Sequence, residues 1–101
     1  MITWKVVFTL ASKEDVRSAR EGLRESNMQL AERFFEDVKS TLDKIAKNPK
    51  HYAIVYNNVR QCRLEIFPHV ISYRIVDDTV QVLAVIHGRR DPEIWKGRSG
   101  H

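Results

Sequence analysis

The sequence predicts an α+β fold in which one strand and two helices are followed by three further strands. Three observations carry that expectation. Residues 2–9, ITWKVVFT, alternate: Ile2, Trp4, Val6 and Phe8 fall on one face and Thr3, Lys5, Val7 and Thr9 on the other, the period of a strand. Leu30, Phe34, Val38, Leu42 and Ile45 recur at the spacing of one helix face. Beyond Pro49, the runs VRQCRLEIF (59–67), VISYRIV (70–76) and VQVLAVI (80–86) are rich in β-branched residues. Turn signals at Phe67-Pro68-His69 and Asp77-Asp78 separate them. Two helices can cover one face of such a sheet and leave the other open.

Each helix carries its own punctuation. In SKED, Ser12 is the expected N-cap and Asp15, three residues on, completes a capping-box pattern. Val16, Ala19 and Leu23 then share a face, and Gly22 with the polar ESN ends the helix. Asn27 is the expected cap of the second helix. Ala31, Phe35 and Thr41 widen its apolar stripe, while Glu32, Arg33, Glu36, Lys39 and Lys44 face water. The stripe reads as core, and the helix stops at Asn48-Pro49 because a residue before proline resists the helical region. Residues 50–58, KHYAIVYNN, read as a loop with room for a short extended piece.

Strand parity assigns the faces. A hairpin about residues 67–70 sets Ile66 opposite Ile71, Leu64 opposite Tyr73 and Cys62 opposite Ile75, under the helices. It also sets Arg63 opposite Arg74 on the open face. Like charges directly opposed are unfavourable in a sheet. Either an anion binds there or both guanidiniums fan out into water. Arg60 falls on the core-facing parity beside Asp77 and reads as a structural ion pair. The last strand is apolar on both sides, the pattern of a central strand, so residues 2–9 can pair along its far edge. A two-residue loop at Asp77-Asp78, the commonest hairpin connection, places Leu83, Val85 and His87 on the Arg74 face. A loop one residue longer reverses them.

The 101 residues fit one domain, spanning 1–101, with 43% hydrophobic and 30% charged residues. Seventeen basic against thirteen acidic residues give a net charge of +4, which suits an acidic partner and equally suits simple solubility. A single cysteine, Cys62, excludes an intrachain disulfide and reads as a core thiol. The opening MITWKVVFTLASKEDV lacks a charged leader region, and its apolar run is too short for a signal or membrane helix, so the expected location is the cytoplasm. No phosphate-binding glycine loop and no nucleophile elbow is present, and the four histidines lack metal-ligand spacing. Neither cofactor nor metal is expected.

What remains is a set of cations and one imidazole: Arg63, Arg74, His87, Arg89 and Arg90, with Lys96 and Arg98 beyond. Arginines on an open sheet face suit the charge that develops on a cleaved phosphodiester, and a histidine can move protons near neutrality. The same arginines suit an acidic peptide.

The segment VRQCRLEIFPHVISYRIVDDTVQVLAVIHGRRDPEIW, together with Ala11–Asp15 and Asn48-Pro49, resembles the ParE/RelE superfamily of toxins from bacterial type II toxin–antitoxin modules. The resemblance implies a strand, a helical hairpin and a three-stranded antiparallel meander, with the first strand parallel to the last. It implies an antitoxin partner whose tail lies in grooves beside the helices and sheet, and a role in plasmid stabilisation. The superfamily divides between ParE-like inhibitors of DNA gyrase and RelE-like enzymes that cut messenger RNA on the ribosome. For the enzymes, basic positions match Arg63 and Arg90, or Arg89 after a one-residue shift. Val70 and Trp95 stand where RelE carries an arginine and a tyrosine, and His87 is the available substitute. Arg63, Arg74, His87 and Arg90 are therefore the catalytic candidates on the ribonuclease reading. Together with Arg89 and Trp95 they are the partner- or phosphate-binding candidates on either reading. The ParE-like reading is preferred, because the RelE set is incomplete. A third is a binding module without toxicity.

Overall fold

A computed structural model describes residues 3–90 and 92–99. Strand β1 (Lys5–Phe8) leads into helix α1 (Leu10–Ser26), and α2 (Met28–Lys47) returns along it. Four strands follow, β2 (Ile54–Tyr56), β3 (Val59–Arg63), β4 (His69–Val76) and β5 (Thr79–His87). The short helix α3 (Glu93–Lys96) and a 3₁₀ turn (Gly97–Ser99) come last. The sheet order is β1-β5-β4-β3-β2, with β1 parallel to β5 and every other pair antiparallel. The predicted α+β order holds, and β5 is an interior strand between β1 and β4. The ambiguous segment 50–58 supplies one more edge strand. Ile2 of the expected first strand lies outside the described residues.

The helical hairpin turns on one side chain. Asn27 Oδ1 accepts from Gln29 N at 2.8 Å and from Leu30 N at 3.4 Å, capping α2 as expected. Helix α1 is capped three residues earlier than expected. Thr9 Oγ1 accepts from Ser12 N at 3.1 Å, and Ser12 sits inside the first turn. Asp15 is thereby freed for a different task. At the end of α2, the buried Tyr73 hydroxyl donates to Pro49 O at 2.6 Å, tying the helix exit to the middle of β4.

The main core lies between helices and sheet: Phe34, Val38 and Ile45 from α2, Val16 from α1, and Ile71, Tyr73, Val80, Val82 and Val85 from the strands. The opposite face is only partly open. Trp95 of α3 packs with Val59, Leu83, Ala84 and Ile86 to form a second, smaller cluster.

Two registers differ from expectation. Strand β3 pairs Cys62 with Ile71 and Arg63 with Val70, a four-residue slide that preserves faces but separates Arg63 from Arg74. The cause is Asp37, which is only 4% exposed. Its carboxylate accepts from Glu65 N at 3.2 Å, Ile66 N at 2.8 Å and Phe67 N at 2.9 Å, so these residues leave the sheet and form a loop. Arg60 does fall on the helix side, but its Nη1 donates to Tyr52 O at 2.6 Å and Lys50 O at 3.2 Å and does not pair with Asp77.

The second difference lies in β5. The two-residue turn at Asp77-Asp78 is present, with Val76 opposite Thr79 and Asp77 at φ 56°. Yet Tyr73 pairs with Val82 while Ser72 pairs with Ala84, so Leu83 is an extra residue. This bulge reverses the parity of the strand's last four residues. Val85 and His87 turn to the helix side, and Ala84 and Ile86 turn away from it.

Candidate functional site

The candidate residues spread around the end of the sheet where β3 finishes, β4 begins and β5 finishes. Arg63 is exposed on the face away from the helices, opposite Val70. Arg74 lies on the same face but opposite Val59, four residues back along β3 from Arg63. At the rise of a strand that is about 13 Å. Its Nε donates to Gln81 Oε1 at 2.6 Å. The expected facing pair of guanidiniums does not exist.

His87 lies on the helix side because of the bulge. It pairs across the strands with His69, ring centroids 5.7 Å apart. Its Nδ1 accepts from Arg89 N at 3.0 Å, so in the neutral ring the proton resides on Nε2. His69 packs edge-on against Phe34 at 4.8 Å and Phe67 at 6.4 Å. Burial holds its imidazole below the usual histidine range, the neighbouring His87 lowers it further, and Asp37 acts in the opposite sense. Its Nδ1 is buried without a partner.

Gly88 lets the chain leave the sheet beside β4. Its N–H donates to Pro68 O at 2.9 Å, and a Cβ there would meet that same oxygen at 3.3 Å. Arg89 and Arg90 follow, both exposed, with Arg90 N bonded to His87 O at 2.9 Å. Asp91 lies outside the described residues. Arg90 lines a cleft of about 260 Å³ on the second face, with Gln61, Val70, Ile86, His87 and Trp95. Gln61 donates to Ser72 Oγ at 3.0 Å. Arg90 also lines a smaller recess on the helix side with His69, His87 and Ser18. The structure thus brings Arg63, His87 and Arg90 to one end of the sheet, with His87 and Arg90 together lining both the cleft and the recess, and leaves Arg74 apart. Trp95 is buried, its ring edge-on to Tyr56 at 5.9 Å, so it acts as the plug of the second cluster.

Two features escaped the sequence. Strand β1 stops opposite Val82, so the edge of β5 from Leu83 onward has no strand beside it. Asp15 and Arg98 take its place. Asp15 Oδ2 accepts from Val85 N at 3.0 Å, and Arg98 donates to Leu83 O at 3.2 Å and to Asp15 Oδ2 at 2.6 Å. The pair is separated by most of the chain, which no local pattern reveals. The second feature is an apolar groove of about 270 Å³ floored by Phe8, Val16, Phe35, Val38 and Leu42, with Lys13 and Lys39 at its rim. Lys13, Arg17, Arg20 and Arg24, against the one acid Glu21, line an adjoining depression. The stripe on α2 did mark these residues, but as core alone.

Cys62 is partly covered, and burial pushes its thiol up, as for a structural cysteine. Among the described residues no group of three or more His, Cys, Asp or Glu side chains could hold a metal ion, and no helix is long and apolar enough to cross a membrane.

A small sheet covered on one side by a helical hairpin, with Arg89 and Arg90 just past the end of β5, defines an α+β domain. A family described as the ParE toxin of the type II toxin–antitoxin system parDE matches residues 6–92. The chain belongs to that family. No curated protein matches it in sequence. Among solved structures, a chain from the chromosomal ParDE toxin–antitoxin system of P. aeruginosa is 15% identical with a TM-score of 0.75, covering 84% of this chain and 96% of that one. A chain of the RelBE2 toxin–antitoxin complex of Mycobacterium tuberculosis is 17% identical with a TM-score of 0.63, covering 85% and 99%. Both likenesses are of fold.

Proposed function

We propose that this ParE-family toxin acts in the cytoplasm as a protein-binding inhibitor of DNA gyrase and is neutralised by a cognate antitoxin. The observation that carries the reading is the dispersal of the ribonuclease candidates. Phosphodiester cleavage needs its cations and proton carrier around one phosphate, within hydrogen-bond reach. Here Arg74 stands about 13 Å along the strand from Arg63, and His87, which shares its clefts with Arg90, has Nδ1 already occupied by Arg89 N–H. The family and the ParDE neighbour favour the same reading.

The antitoxin is proposed to lay an acidic amphipathic segment in the groove between α1 and α2. Its apolar floor and its rim of Lys13, Lys39, Arg20 and Arg24 complement apolar and acidic side chains respectively.

Purified protein added to gyrase, ATP and supercoiled DNA is expected to accumulate cleaved DNA, while ribosome-bound message stays intact. Cut message with no effect on gyrase overturns the proposal. One observation favours the ribonuclease reading: Arg63 and Arg90 share an end of the second face beside the cleft. On that reading His87→Ala and Arg63→Ala abolish growth inhibition while antitoxin binding persists; on the gyrase reading neither histidine nor arginine is needed for chemistry.

A further inference from the structure

The depression beside the groove contains an ion pair that is only half made. Arg20, on α1, lays its guanidinium over the Phe35 ring, with Cζ 4.1 Å from the centroid. Glu32, on α2, brings both carboxylate oxygens to the same nitrogen, Nη2, at 2.9 and 3.3 Å. The strong arginine–carboxylate geometry uses two nitrogens in parallel. Here Nε is buried and has no acceptor. The partners also differ in cover: the Arg20 side chain is 26% exposed and that of Glu32 56%. Stacking on Phe35 fixes the cation, while its counter-ion stands mostly in water, where such a pair contributes little. Phe35 is also part of the apolar floor, so the cation sits where groove and depression meet.

We propose that Arg20 is a specificity-determining residue for the segment seated in the groove, and that Glu32 is a placeholder displaced when that segment arrives. The occupant is an amphipathic acidic segment of the antitoxin, with a carboxylate next to its apolar anchors. Of the four basic side chains around the depression, Arg17 is held by Glu14 and Glu21, and Lys13 and Arg24 join Arg20 in supplying the complementarity. Docking covers the new pair from water, which strengthens it, and returns Glu32 to full hydration. This inference rests on the groove being the antitoxin's seat.

The test is calorimetric titration of the full chain with the antitoxin of the same module, comparing wild type with R20Q, R20K, E32Q and L42D. R20Q is expected to weaken binding by about tenfold or more. R20K, which keeps the charge but loses the planar fork, falls between. E32Q is expected to tighten binding about threefold, because the competing carboxylate is gone. A purely structural pair predicts the opposite sign for E32Q, and weaker binding or no change there overturns the proposal. Being an exposed substitution, E32Q keeps the test open even if R20Q fails to fold. L42D places a carboxylate in the apolar floor; if it binds as wild type does, the seat itself is wrong, a failure distinct from that of Arg20 alone.

Discussion

Asp15→Ala removes a side chain that stands in for a missing strand, and its cost can be worked from the contacts. The carboxylate is 13% exposed and Arg98 is 26% exposed, so the pair is largely withdrawn from water. The hydrogen bond from Val85 N is charge-assisted and is worth about 1.5–3 kcal/mol. Breaking a fully buried ion pair costs about 3–5 kcal/mol, but Arg98 can turn its exposed part to solvent, which reduces that share to about 1 kcal/mol. The sum is about 3 kcal/mol. For a domain of this size that lowers the melting temperature by about 12–20 °C. Arg98→Ala leaves Asp15 its bond to Val85 N but deprives Leu83 O of its donor, for about 2 kcal/mol. The assay is urea unfolding of wild type, D15A, R98A and the double variant. A coupling energy of about 1–2 kcal/mol is expected. Hydrogen exchange at Val85 N–H should accelerate in D15A. A coupling below about 0.3 kcal/mol, within the error of additive sites, refutes the claim that the two residues act together on the β5 edge.

Three further outcomes follow from other contacts. Asp37→Ala strips three backbone N–H groups of their acceptor; because the loop can partly rehydrate, the loss is about 2–4 kcal/mol in chemical denaturation, and a change under about 0.5 kcal/mol contradicts the carboxylate's role. Since His69 is held below its ordinary 6.5, the unfolded chain binds a proton before the folded one does. Stability should therefore fall as pH drops through about 6.5, and His69→Gln should remove that part of the slope in unfolding measured from pH 8 to 5. Trp95→Ala opens the second cluster and should cost about 3 kcal/mol, with loss of near-ultraviolet circular dichroism, while β1 to β4 stay paired by hydrogen exchange.

The sequence was most legible where local chemistry decides. Asn27 caps α2, Asn48-Pro49 ends it, and the doubly apolar 80–86 run lies inside the sheet with a strand on either side. It was least legible where a distant group decides. Glu65 to Phe67 read as strand by composition, but a carboxylate some thirty residues earlier draws their N–H groups away. Thr9 took the cap assigned to Ser12, which left Asp15 for Val85 and Arg98. The bulge at Leu83 was hidden because 82–86, VLAVI, is apolar without a break, so alternation carries no mark where the phase slips. For the site, Arg63, His87 and Arg90 do lie near a common end of the sheet, whereas Arg74 lies apart and the strand face of His87 is reversed, each difference tracing to one of the two registers.

The extra residue in β5 also changes how relatives of this chain could diverge. Residues on either side of Leu83 are out of phase by one, so no substitution moves His87 onto the strand face that carries Arg63. Deleting one residue from the bulge does so in a single step, carrying His87 to the second face and Ile86 to the helix layer. Strand length, as well as side-chain identity, then sets which face of this end the imidazole serves.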